Sequence, residues 1–143
     1  MSAGQTLSGG CLCSAVRYTA APRTLHADVC HCGMCRKWSA GPMFTIDGGD
    51  IVKINDAANL GVYRSSEWAE RCFCKVCGTS LFYRLVGKGF YAVSAETLDD
   101  KSGLVFTTQI FIDEKPAYYD FANKTKNMTG AEVFAKFSGE AKG

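Results

Sequence analysis

The sequence lacks the segments that would direct a protein to a membrane or across one. No apolar stretch approaches the roughly 20 residues of a membrane-spanning helix. Residues 1–10 have neither the basic region nor the apolar core of a signal peptide. We therefore expect a cytoplasmic, reducing location and no membrane partner. In such a compartment, clustered cysteines bind metals or take part in catalysis more often than they form disulfides.

The sequence also lacks a concentrated charge of either sign. Its 16 basic and 14 acidic residues are spread along the chain and leave a net charge of +2. Nucleic-acid-binding domains usually carry a basic stripe that follows the phosphate backbone. Because no such stripe is present, we expect no nucleic-acid partner, whereas a small anionic ligand would suit the slightly positive balance.

Proline is scarce, with 3 residues, while 15 glycines, 9 phenylalanines and 6 tyrosines favour strands joined by tight turns. A chain of 143 residues forms about one domain. We therefore predict a mainly β, antiparallel fold in a single domain over residues 1–143. The predicted strands are 16–19, 25–30, 43–46, 51–54, 61–64, 70–73, 81–86, 90–94 and 107–112.

Two turn and capping signals refine this prediction. The sequence Asp47-Gly48-Gly49-Asp50 predicts a hairpin between strands 43–46 and 51–54. Thr129 with Glu132 forms a capping-box pattern, which predicts one short C-terminal helix. A further helical turn is predicted over residues 34–38.

All 8 cysteines lie in three short clusters, and no cysteine lies elsewhere. An even number of cysteines also fits a disulfide scaffold, but the missing secretory signal disfavours that interpretation. Pairs of cysteines two or three residues apart can direct their sulfurs to one point, as a tetrahedral metal site requires. The clusters are Cys11-Leu12-Cys13, Cys30-His31-Cys32-Gly33-Met34-Cys35 and Cys72-Phe73-Cys74-Lys75-Val76-Cys77-Gly78.

The simplest partition assigns Cys11, Cys13, Cys74 and Cys77 to one closed structural zinc. Four thiolates fill a tetrahedral shell and leave no position for a substrate. Gly78 follows the second cysteine of a zinc-knuckle pattern, where glycine allows backbone amides to turn toward the sulfur.

Cys30, Cys32 and Cys35 then remain as a trio with an open fourth position, which is typical of catalytic zinc. A closed site with His31 or Cys72 as fourth ligand is the alternative. The side chain of His31 would point away from a metal held by its two neighbours, which favours a role in supporting the site or binding substrate. Cys72 is interpreted as a buried free cysteine.

Basic residues near the clusters could bind an anionic thiol. Arg36 and Lys37 follow the trio, while Arg71 and Lys75 flank the third cluster. Arg36 is the preferred candidate, because a guanidinium group matches a carboxylate with two hydrogen bonds.

These motifs resemble the glutathione-dependent formaldehyde-activating family, also called the centromere protein V/GFA domain. The resemblance covers roughly residues 5–121 and rests on five segments. They are GGCLCSAVRY at 9–18, CHCGMCRK at 30–37, FCKVCGT at 73–79, LDD at 98–100 and QIFIDEKPAYY at 109–119.

The resemblance implies a small zinc-containing fold of the β-tent kind with two zinc ions per chain. It implies a structural zinc on Cys11, Cys13, Cys74 and Cys77. It also implies a catalytic zinc on Cys30, Cys32 and Cys35. The family's namesake reaction joins formaldehyde to glutathione and is formally a carbon–sulfur lyase reaction run in reverse.

We therefore expect an enzyme of the S-(hydroxymethyl)glutathione synthase type that couples a small aldehyde to a low-molecular-weight thiol. Zinc would activate the thiol, and Arg36 and His31 would bind substrate. The alternative is a non-catalytic zinc-binding module for a macromolecular partner. A thiol redox or metal-sensing role is a third possibility. The sequence does not set the oligomeric state.

Overall fold

The computed structural model describes residues 5–49 and 52–142, with side chains up to residue 137. Its mainly β class agrees with the prediction, and each of the nine predicted strands corresponds to an observed strand. The strands are β1 (Leu7–Gly10), β2 (Arg17–Ala20), β3 (His26–Cys30), β4 (Met43–Asp47), β5 (Val52–Ile54), β6 (Leu60–Arg64), β7 (Ala69–Cys74), β8 (Ser80–Leu85), β9 (Phe90–Ser94), β10 (Val105–Ile110) and β11 (Lys126–Met128). The helices are α1 (Gly33–Ser39) and α2 (Gly130–Lys142).

The strands form two sheets. A three-stranded sheet has the order β1-β2-β5, and an eight-stranded sheet has the order β11-β10-β3-β4-β9-β8-β7-β6. Strand β10 pairs in parallel with both β3 and β11, whereas the other neighbours pair antiparallel as predicted. The parallel pair places Cys30 at the end of β3 beside Ile110 at the end of β10.

The main core joins the small sheet to the large one. Tyr18 of β2 packs edge-on against Phe82 of β8, with ring centroids 6.2 Å apart. Gly9 of β1 lies under the same tyrosine, and a Cβ atom there would lie 2.5 Å from the Tyr18 hydroxyl oxygen. A glycine is therefore needed where this ring meets β1, although glycine is unfavourable in most strands.

The predicted hairpin between β4 and β5 is wrong. Strand β5 pairs with β2 in the small sheet, while β4 pairs with β3 and β9 in the large sheet. The Gly48 amide donates to the Tyr91 carbonyl, and Gly49 has a φ of 88°, so this segment leads the chain from one sheet to the other. Ile51 and Asp50, which belonged to the predicted strand and turn, lie outside the described residues.

The opposite face of the large sheet carries a second, smaller core. Cys30, Cys35 and Met43 are buried there, and Trp38 and Tyr83 pack against them. Helix α1 supplies Cys35 and Trp38, which agrees with the predicted helical turn over residues 34–38. The small core therefore lies at the cysteine trio.

Helix α2 begins with the predicted capping box. The Glu132 amide donates to Thr129 Oγ1 at 3.2 Å, and the Thr129 amide donates to Glu132 Oε1 at 3.0 Å. Val133 is buried, and Phe134 packs edge-on against Phe111 with ring centroids 5.8 Å apart. The capping pair therefore begins a helix whose apolar side packs against Phe111, directly after the end of β10.

Replacing Thr129 with alanine is expected to lower the free energy of unfolding by about 1 kcal/mol, because the substitution removes the side-chain acceptor at the first turn of α2. Urea denaturation followed by circular dichroism measures this change. Thr129→Ser keeps the hydroxyl and should retain near-wild-type stability. Equal stability of Thr129→Ala and the wild type would show that the cap contributes nothing.

Within the described residues, no helix has the length and apolar character needed to cross a membrane.

Candidate metal centres

The turn after β1 and the end of β7 bring four cysteines together. They are Cys11, Cys13, Cys74 and Cys77. Their sulfurs all lie within 4.8 Å of one another, with 3.7 Å between Cys11 and Cys13 and 3.8 Å between Cys13 and Cys74. Four sulfurs around zinc at Zn–S distances of about 2.3 Å would be about 3.8 Å apart in a tetrahedron. The four-cysteine cluster therefore has the donor set and the spacing of a tetrahedral thiolate site.

The chain around the four-cysteine cluster folds as a zinc knuckle. The Val76 and Cys77 amides donate to Cys74 Sγ at 3.3 and 3.4 Å, and the Gly78 amide donates to the Cys74 carbonyl. Gly78 has a φ of 81°, which is the left-handed conformation that glycine adopts without strain. The turn thus directs backbone N–H groups at a sulfur, as the sequence predicted.

Thr79 connects both halves of the four-cysteine cluster. Its Oγ1 accepts a hydrogen bond from the Leu12 amide at 3.1 Å and lies 3.2 Å from Cys77 Sγ. Hydrogen bonding to Thr79 lowers the pKa of Cys77 to about 5, which favours the thiolate form of this sulfur. A deprotonated sulfur is the form that ligates a metal.

Cys30, Cys32 and Cys35 form the second group, here called the trio. Their sulfurs also lie within 4.8 Å of one another. Cys30 ends β3, Cys32 caps helix α1 by accepting from the Cys35 amide at 3.3 Å, and Cys35 lies in the first turn. Cys32 is partly exposed while the other two are buried, so the trio opens toward solvent on one side.

Crowding of the three sulfurs makes their protonation states unequal. Hydrogen bonding from Cys30 and Cys35 lowers the pKa of Cys32, and hydrogen bonding with Cys32 raises the pKa of Cys30. Three thiolates at this separation need a cation to offset their repulsion. The all-sulfur donor set fits a soft divalent ion such as zinc.

Within the described part of the chain, no fourth cysteine, histidine or carboxylate joins the trio. Cys72, the alternative fourth ligand, is buried in the main core and belongs to neither group. Burial raises its pKa to about 11, so it is a protonated thiol. Its interpretation as a buried free cysteine fits this position.

His31 lies behind the trio and is fully buried. Its Nδ1 lies 2.7 Å from the Tyr119 hydroxyl and its Nε2 lies 2.8 Å from Gln109 Oε1. Since the Gln109 oxygen can only accept, Nε2 carries the proton and Nδ1 accepts from Tyr119. Burial also lowers the pKa of His31, which keeps the ring neutral.

The prediction that His31 binds substrate stays a prediction, as does the alternative that His31 supports the site. Both ring nitrogens already have protein partners, which favours the supporting role. The His31 backbone amide also donates to the Ile110 carbonyl, which fixes the segment between Cys30 and Cys32.

Arg36 lies on the solvent side of α1, next to the trio in sequence. Its Nε donates to the His31 carbonyl at 2.8 Å. It lines an open depression of about 350 Å³ together with Gly33, Lys37 and Tyr118, a residue that is 80% exposed. Basic side chains therefore line a depression beside helix α1, which also carries Cys35 of the trio.

Arg71 contributes more to the site than its position beside the third cysteine cluster predicts. This side chain is buried in the small core, where its Nη1 and Nη2 lie 3.6 and 3.7 Å from Cys35 Sγ. Strand alternation could have suggested this location, because Arg71 must face the side of β7 opposite Cys72 and Cys74. The contact with Cys35 depends on the packing of α1 against the sheet.

The profile of the glutathione-dependent formaldehyde-activating enzyme family matches residues 6–114. A Schizosaccharomyces pombe protein described as an uncharacterized lyase is 38% identical over 126 residues, which cover 87% of this chain and 92% of the relative. A crystal structure of a Rhodobacter sphaeroides protein is similar with a TM-score of 0.57 and 22% identity. The match covers 65% of this chain and 88% of the other.

Proposed function

The chain belongs to the glutathione-dependent formaldehyde-activating enzyme family, and on that premise we propose that it is a zinc-dependent carbon–sulfur lyase. Its substrates would be a small aldehyde such as formaldehyde and a low-molecular-weight thiol such as glutathione. The observation that carries this proposal is the trio, which offers three converging sulfurs where the four-cysteine cluster offers four. Three protein ligands leave one position of a tetrahedral ion for a substrate.

The proposed reaction adds the thiol across the aldehyde carbonyl. A carbon–sulfur bond forms, the carbonyl π bond breaks, and the thiol proton is transferred to the carbonyl oxygen, giving an S-hydroxyalkyl adduct. The reverse direction cleaves the carbon–sulfur bond. When bound at the trio, zinc would hold a coordinated thiol in its thiolate form near neutral pH.

The residues around the trio have separate roles in this proposal. Cys30, Cys32 and Cys35 would hold the ion, and the four-cysteine cluster would hold a second, structural zinc. His31 is neutral and bonded at both nitrogens, so it would orient the cysteine segment rather than transfer a proton. Partners that orient metal ligands in this way commonly influence metal affinity and activity.

Arg36 is proposed to bind a carboxylate of the thiol substrate. Within the described residues, the Arg36 Nε donates to the His31 carbonyl, and its two terminal nitrogens make no hydrogen bond. Lys37 lines the same depression and adds a second positive charge. A carboxylate bound there would lie beside helix α1, which carries Cys35 of the trio, and this suits an acidic thiol.

Replacing Arg36 with alanine is expected to raise KM for glutathione by about 10-fold or more, since hydrogen bonds to charged groups contribute about 1.5–3 kcal/mol. KM for 2-mercaptoethanol, which has no carboxylate, should change little. Steady-state kinetics with both thiols measures the difference. Lys75→Ala removes the same charge near the other cluster and serves as the control. Equal losses for the two thiols would contradict carboxylate binding.

Exchange NMR tests the proposed reaction directly. ¹³C-formaldehyde and glutathione equilibrate slowly with their adduct, and magnetisation transfer reports the rate of interconversion. The purified protein should raise this rate in proportion to its concentration. A protein that carries zinc at both clusters yet leaves the exchange rate at its buffer value would overturn the proposal.

A further inference from the structure

Arg71 is a buried cation without a carboxylate partner among the described residues. It is 4% exposed, and no ion pair within residues 5–49 and 52–142 includes it. Its Nε has no hydrogen-bond partner in the same part of the chain. Burying a charge costs several kcal/mol unless another charge or a set of hydrogen bonds compensates for it. Some nearby negative charge should therefore balance this guanidinium.

Two aromatic rings fix the position of the Arg71 guanidinium. Its Cζ lies 5.4 Å from the Trp38 ring centroid and 5.1 Å from the Tyr83 ring centroid. Tyr83 is also the cross-strand neighbour of Arg71 in the β7–β8 pair. Cation–π contacts of this kind are strongest where water is excluded. The positive charge is thus held in one place, next to Cys35 Sγ.

The two cysteine groups differ in the charge of their hydrogen-bond donors. Backbone amides donate to sulfurs of the four-cysteine cluster, as Val16 does to Cys11 and Val76 does to Cys74. At the trio, two guanidinium nitrogens of Arg71 approach Cys35 Sγ. Only the trio therefore has a full positive charge in contact with one of its sulfurs in the described structure.

The positive charge beside Cys35 affects which fourth ligand a metal ion held by the trio would bind. A divalent ion with three thiolates carries one net negative charge, and a thiolate as fourth ligand adds another. Because Cys30 and Cys35 are buried, water screens this added charge only in part. The fixed charge of Arg71 would offset it, whereas a neutral fourth ligand would gain little.

We propose that Arg71 is a positioning residue whose counter-charge makes the metal-loaded trio prefer an anionic thiolate over a neutral fourth ligand. This inference rests on the proposed function, since it requires a metal at the trio. It adds a source of ligand selectivity that acts through Cys35 without Arg71 contacting the substrate.

Cobalt-substituted protein provides a readout that does not depend on turnover. Titration with 2-mercaptoethanol or with imidazole should change the cobalt absorption bands, and the bands of the four-cysteine cluster stay as a constant background. Arg71→Met is the neutral variant, because an unbranched apolar side chain can occupy the slot between Trp38 and Tyr83 without leaving a buried polar group unpaired. Arg71→Lys retains the charge. Arg84→Met removes an arginine that pairs with Glu70 and serves as the matched control.

Arg71→Met is expected to weaken thiol binding by about 10-fold or more, while imidazole binding changes by less than about threefold. Arg71→Lys should stay near the wild type for both ligands, and so should Arg84→Met. Equal weakening of both ligands in Arg71→Met, or loss of selectivity in Arg71→Lys, would overturn the role of Arg71 and leave the proposed function intact. Absence of any thiol-dependent change in the wild type would overturn both.

Discussion

Replacing Cys74 with alanine is expected to abolish cooperative folding. Cys74 is fully buried at the end of β7, and its sulfur accepts hydrogen bonds from two amides of the knuckle. Structural zinc sites contribute apparent binding free energies of about 10–16 kcal/mol in small domains. Most domains have a total stability of only about 5–15 kcal/mol. Loss of one of the four ligands should therefore lower the free energy of unfolding by an amount comparable to the total stability of the domain.

Circular dichroism and ¹H–¹⁵N NMR spectra measure this effect. Cys72→Ala is the matched control, because Cys72 lies two residues away and is equally buried but joins neither cysteine group. That variant should remain folded with a modest loss of stability. A dispersed spectrum and a near-wild-type melting temperature for Cys74→Ala would contradict a structural metal at the four-cysteine cluster.

Replacing Cys32 with serine is expected to lower the coupling rate by at least about 100-fold. Even residues that only orient a metal ligand typically contribute about 10- to 100-fold to affinity or activity, and Cys32 is proposed as a ligand itself. Serine is a good helix N-cap, so the acceptor for the Cys35 amide is retained. The variant should therefore lose activity without losing its fold.

The exchange NMR assay combined with circular dichroism separates activity from folding in this variant. Cys72→Ala again serves as the control and should keep its activity if Cys72 has no chemical role. Undiminished exchange by Cys32→Ser would remove the trio from the mechanism. In that case the alternative of a non-catalytic zinc-binding module would gain support.

Local sequence signals predicted most strands and both helices because each depends on nearby residues. The capping pair Thr129 and Glu132 is one example, and it forms in the structure as predicted. Strands β1 and β11 were missed because Gly9, Gly10 and the polar residues of β11 give weak strand signals. The Gly48-Gly49 sequence predicted a hairpin. Which strands pair, however, depends on how the two sheets pack together, and no local sequence pattern encodes that packing.

The close cysteine pairs could be predicted because ligand spacing within a short segment is a local property. Cys13 and Cys74, which lie 61 residues apart, were assigned to one site because four thiolates complete a tetrahedral shell. The surroundings of the trio depend on contacts between distant segments. His31 meets Gln109 and Tyr119 only because β3 and β10 pair in parallel. Arg71 reaches Cys35 because α1, which carries Cys35, packs against the large sheet at β4. The sequence therefore predicted the cysteines of the site better than it predicted the residues packed around them.

Elemental analysis of zinc per chain, on protein purified without chelator or added metal, tests the central claim most directly. The account predicts about two zinc ions per wild-type chain, one for each cysteine group, and about one per Cys32→Ser chain. One zinc ion in both proteins would show that the trio holds no metal. That result would contradict the proposed enzyme and the role assigned to Arg71.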